Sequence, residues 1–136
     1  MKRFAGLALF LSSCIWDPHV HEVPAPEGER VAIEIARMHF ERQHGSLPLH
    51  TGEIIWTDEE CIYVDEDHCV SGCHYTYNNN IYLTTYIEIW QSSLVHELGH
   101  YWLDMLGDSD HDHERSDWWD MVPDINGHIK SWERIK

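Results

Sequence analysis

Positive charge is scarce in this chain. Nine Lys and Arg stand against 24 Asp and Glu in 136 residues, a formal net charge of −15 with His neutral. A field of that sign repels nucleic acid phosphates and anionic lipid headgroups, which excludes nucleic acid as a partner. Long apolar runs are also missing. The one at residues 4–11 is too short to span a bilayer, and no second run follows it. No internal repeat, long low-complexity tract, phosphate-binding glycine loop or Ser/His/Asp arrangement is present. The four cysteines include no paired C-x-x-C knuckle. What is there is a globular composition: 43% hydrophobic residues with seven Trp and six Tyr, enough for one domain with a modest core. Twelve His are the other surplus.

The chain opens "MKRFAGLALFLSSC", a positive start followed by a short apolar run, which is the layout of a secretion signal. Leu11, Ser12, Ser13 and Cys14 resemble the bacterial lipobox. That resemblance implies removal of residues 1–13, lipidation of Cys14 and a place in the bacterial cell envelope, at the outer membrane or cell surface. Without lipid on Cys14 the protein would be secreted. Membrane contact is expected only through that lipid. Residues 14–29, with three prolines and no periodic apolar pattern, read as a tether to a domain at 30–136. Export permits disulfides. With Cys14 spent on lipid, a bridge from Cys61 to Cys69 or Cys73 is expected. A zinc site made by these thiols with His68 and His74 ranks below it, for want of a knuckle.

Within 30–136, Val31, Ile35, Met38 and Arg42 fall on one helical stripe that Gly45 closes. Short β-favouring runs follow at 52–56 and 61–64. "HYTYNNNIYLTTY" reads as strand, Asn turn and strand over 74–77, 78–80 and 81–85. Ile87, Trp90, Leu94, Leu98, Tyr101 and Met105 then recur at spacings of three and four, predicting a broad-faced helix that ends at Gly107. The terminal segment "GHIKSWERIK" also has helical character. The fold class expected is a small α+β domain.

On that helix stands His96-Glu97-Leu98-Gly99-His100. Residues four apart on a helix share a face, so both imidazoles can reach one cation. Zinc takes ring nitrogens at about 2.0–2.1 Å and acidifies a water it binds. Glu97, about 100° round the helix, sits beside such an ion and can act as general base. The string alone is modest evidence in a chain this rich in His; its place mid-helix, after a hairpin, gives it weight. At this point the chain resembles the zincin metallopeptidases, over about residues 75–119. The resemblance implies an active-site helix packed on a short antiparallel or mixed sheet, His96 and His100 as zinc ligands and Glu97 as catalytic base. It implies zinc-dependent hydrolysis of a peptide or protein substrate, and a strand beside the helix that aligns it. "NIYLTTY" is the candidate strand. Leu103 and Leu106 occupy the positions where the metzincin branch continues its motif, so that branch is excluded.

A third ligand is sought in "GDSDHDH", after Gly107 turns the chain back. His113 is the first choice, leaving nearby aspartates to orient ligands; the run is also similar to small bacterial HExxH lipoproteins with a late His. His111 and Asp110 are the runners-up. A solvated acidic loop is the plain alternative, whereas a calcium loop starting at Asp108 fails because His113 and Trp119 stand where Gly and Glu are needed. Tyr101, Tyr86 and His128 are candidates to stabilise an oxyanion, and Trp118 or Trp119 to pack under the loop. The sequence thus reads as a monomeric, exported zinc peptidase, with a non-catalytic zinc-binding envelope lipoprotein as the alternative.

Overall fold

The computed structural model describes residues 13–86 and 90–135. A four-stranded mixed sheet has the order β1-β2-β6-β5, built from Glu22–Val23 (β1), Ile54–Thr57 (β2), Asn80–Thr84 (β6) and Gly72–Tyr75 (β5). β1 runs antiparallel to β2, β2 parallel to β6, and β6 antiparallel to β5. Ile62–Tyr63 (β3) and Cys69–Val70 (β4) form a separate antiparallel pair. The helices are Glu29–His44 (α1), Trp90–Met105 (α2), the single turn Ser116–Trp119 (α3) and Val122–Ile135 (α4). The α+β class expected from the sequence is the class observed.

Side-chain alternation along the strands explains the layering. Ile81 and Leu83 of β6 and Trp56 of β2 join Ala32, Ala36, Phe40, Leu94, Leu98, Trp102 and Ile125 in the main core, so α1, α2 and α4 lie on one face. Tyr82, Ile55 and Cys73 point the other way, into a smaller cluster with Cys14, Ile62, Val64 and Val70. Each large apolar side chain withdrawn from water contributes about 1.5–3 kcal/mol, which favours this two-sided cover. The stripes differ in detail from the sequence reading. On α1, Ala32, Ile35, Ala36 and Phe40 are buried, while Met38 is 37% exposed; on α2, Met105 is 46% exposed because the helix end outruns the core. Ile87 lies outside the described residues.

The N-terminal expectations need correction. Residues 1–12, most of the expected signal, lie outside the described residues. Residues 14–29 are no free tether: the Trp16 indole donates to the Tyr63 carbonyl at 3.1 Å, Tyr82 Oη donates to Asp17, and β1 joins the sheet. The Cys14 sulfur is bonded to Cys73, and Cys61 is bonded to Cys69. A lipid thioether would need the same Cys14 sulfur, so lipidation and this bridge exclude one another. Cys61–Cys69 is one of the two pairings expected; Cys14–Cys73 was not expected, and with all four cysteines paired no free thiol is left for a Cys–His zinc site. Among the described residues no helix is long and apolar enough to cross a membrane.

Candidate metal centre

α2 is buried on nearly all sides from Leu94 to Leu103, which puts even Glu97 and His100 inside, at 3% and 4% exposure. His96 and His100, one helical turn apart, point out of the helix toward the returning loop. His113 comes to meet them from a backbone in the left-handed region, φ 58. That conformation is sparsely populated for a residue with a side chain, and it marks a functional constraint when the surroundings enforce it. Asp110 does the enforcing. Its carboxylate accepts the backbone N–H of Glu114 at 3.0 Å and of Arg115 at 2.8 Å, and the Trp119 indole N–H at 2.6 Å. Burial pulls its pKa up, but those three donors outweigh it and hold the carboxyl below its ordinary range. Arg115 adds a second tie, bonded to Asp108 and Asp117.

The result is a convergent triad. The three Nε2 atoms are separated by 3.1 Å (His96–His100), 2.9 Å (His100–His113) and 3.0 Å (His113–His96). One cation bound at about 2.0–2.1 Å can reach all three, and four-coordinate geometry asks the rings to open by only a few tenths of an ångström. These residues can hold a metal ion. Burial, reinforced by the neighbouring His113, lowers the pKa of His96 to about 4. Burial together with His96 and His113 lowers His100 further, and burial lowers His113. All three are neutral at pH 7, the form that binds metal.

Glu97 occupies the adjacent position on the helix. It is fully enclosed, burial alone drives its pKa well above 4.5, and its Oε1 has no hydrogen-bond partner. Across from it runs β5. A Cβ on Gly72 would come 2.7 Å from Leu83 Cδ2 and 3.3 Å from Glu97 Cγ, so a side chain there would press on both.

The chain matches no protein-family model, no curated protein and no solved structure. Its chemistry is therefore read from its own geometry.

Of the residues singled out from sequence, His96, His100 and His113 come together, and Glu97 follows His96 on α2 with its carboxylate buried. Neither runner-up joins the group. His111 is exposed, and both Asp110 oxygens are taken by the loop they organise. "NIYLTTY" is the wrong strand for aligning a substrate, because β6 is central and paired on both sides; β5 is the outer strand next to α2. The oxyanion candidates also move. Tyr101 is fully buried with its hydroxyl on the Leu49 carbonyl, and His128 pairs with His39 on α1 at 3.0 Å. Tyr86 is 55% exposed. Gly72 was missed, since its place appears only when β5 meets α2; Trp119 packs under the loop as one of the two expected candidates, bonded to Asp110, and its contact with all three imidazoles was not foreseen. Trp118 packs elsewhere, stacked between Phe40 and His44.

Proposed function

We propose that this protein is a zinc-dependent peptidase of zincin type, with His96, His100 and His113 as ligands and Glu97 as the base. The observation that carries the reading is a buried carboxylate with an unpartnered oxygen, one residue along the helix from a convergent triad of neutral imidazoles. Zinc held there supplies Lewis acidity, polarising a peptide carbonyl and acidifying water. With a cation's charge beside it to favour the ionised form, Glu97 would take the proton from the attacking water at Oε1. Its raised pKa then suits it to pass that proton to the departing amine. β5 sets the backbone of Gly72 beside Glu97, two residues from the point where Ser13 and Cys14 cover the strand's margin at His74, so any peptide would pair only with the Gly72 end. Two disulfides favour an oxidising compartment, so the protein would work after export.

A second reading is a metal-binding protein without catalysis, and the near-complete enclosure of Glu97 favours it. Zinc content and peptidase activity of wild type and Glu97→Gln separate the two. Peptidase action predicts that the variant keeps its zinc and loses about 10²-fold or more in rate. Zinc uptake by both proteins with no Glu97-dependent cleavage in either rejects it in favour of simple metal binding.

A further inference from the structure

We infer that Trp119 is a positioning residue for the metal centre: it orders the three imidazoles and closes one face of their triad. This rests on the metal reading above. The imidazole centres form a nearly equilateral triangle with sides of 4.8, 4.8 and 4.7 Å. The Trp119 ring lies 4.9, 4.5 and 5.0 Å from those of His96, His100 and His113. Together the six separations place the indole about 3.9 Å above the middle of the triangle, within the range of aromatic pairs. Non-bonded heavy atoms need about 3.5 Å from an aromatic carbon, so nothing fits between the indole and the converging nitrogens. Any water or substrate atom must reach the centre from the opposite face.

Two contacts fix the ring there. Its N–H donates to Asp110, the residue that also shapes the His113 turn. Below it is Gly99, where a Cβ would meet Trp119 Cζ3 at 3.1 Å, tighter than ordinary contact. The middle of the H-E-x-x-H motif is thus cut back to seat the cover. Asp110, Trp119 and His113 act as one unit: the carboxylate orders the loop, the indole seals the far side, and the imidazole completes the triad.

The test compares wild type with Trp119→Ala, Trp119→Phe and Asp110→Ala, each confirmed folded by circular dichroism, by zinc affinity and by the visible spectrum of the Co²⁺-loaded protein. Loss of a partner that orients metal ligands costs about 10–100-fold in affinity, and Trp119→Ala is expected in that range. Its Co²⁺ absorption should weaken at least severalfold, as solvent enters from the uncovered face and raises the coordination number. Trp119→Phe keeps a ring over the triad and should stay within about threefold of wild type, although it cannot reach Asp110. If Trp119→Ala does not fold, Trp119→Leu, which fills the volume without a ring, takes its place with the same expectation. Wild-type affinity and spectrum in the ring-less variant overturn the inference. So does Trp119→Phe failing as badly as Asp110→Ala, which would make the indole a mere relay of the loop. A wild-type protein that takes up neither Zn²⁺ nor Co²⁺ removes the metal centre itself, and this inference with it.

Discussion

Replacing Glu97 by Gln should stabilise the metal-free protein, by an amount that grows with pH. In the unfolded chain Glu97 ionises near 4.5; in the fold, burial raises that value well above it. Between the two values the folded state holds a proton that the unfolded state has released. Stability therefore falls as pH rises, by about 1.36 kcal/mol per pH unit. From 4.5 to 7 the loss has a ceiling of about 3.4 kcal/mol. It reaches that ceiling if the folded value lies above 7, and otherwise stops growing at the folded value. Gln cannot ionise and escapes this penalty, while filling nearly the same volume and keeping a polar atom near Oε1. At roughly 4 °C per kcal/mol for a domain of this size, the variant should melt up to about 14 °C higher at pH 7 in the presence of a chelator. The advantage should shrink to its minimum by pH 4, where both side chains are uncharged. Thermal or urea unfolding of both proteins across pH 4 to 7.5 measures it, and the difference between them cancels every other titrating group. A pH-independent difference, or a variant less stable at neutral pH, would refute the claim that Glu97 is buried without compensation.

Other outcomes follow from the same geometry. His113→Ala should lower zinc affinity by at least 10-fold, whereas His111→Ala should leave it within about threefold, as equilibrium dialysis against a chromophoric chelator would show. Zinc uptake at pH 6 should release far fewer protons than the roughly two that three ordinary imidazoles would shed, because His96 and His100 are already neutral; calorimetry in buffers of different ionisation enthalpy counts them. The same lowered values make the metal-free fold lose stability as pH falls from about 6.5 toward 4, where the unfolded chain takes up protons that the fold refuses. The Cys14–Cys73 bridge spans 59 residues. Cys73→Ser should therefore cost about 4 kcal/mol in denaturant unfolding on the chain-entropy model. Intact mass of the protein from an oxidising compartment should show two bridges and no acyl chain.

The sequence displayed most of the centre because its chemistry is local. Four residues on a helix settle where His96 and His100 point, and a short loop limits which group can join them. Helix periodicity likewise revealed α2, although a pattern alone could not tell that Met105 would outrun the core. What stayed hidden is non-local. The strand that flanks Glu97 follows from pairing order: "NIYLTTY" has the stronger β pattern, and so became the doubly paired centre, while weak-looking "GCHY" took the edge. Trp119 carries no periodic signal, since its contacts lie 19 and 23 residues back along the chain, at His100 and His96. A lipobox-like string governs only local processing chemistry, so it could not disclose that Cys14 lies against Cys73.

The N-terminal stretch does more than close a covalent loop. Ser13 bridges His74 in parallel, and the Cys14 N–H donates to the His74 carbonyl at 3.0 Å, on the outer margin of β5. The opposite margin is β1, only two residues long. An open margin is where sheets of separate molecules stitch together into aggregates, and here one is stapled over and the other too brief to template. Chains made in a reducing cytosol lose the staple, and should self-associate through that bared border long before their helical layer comes apart.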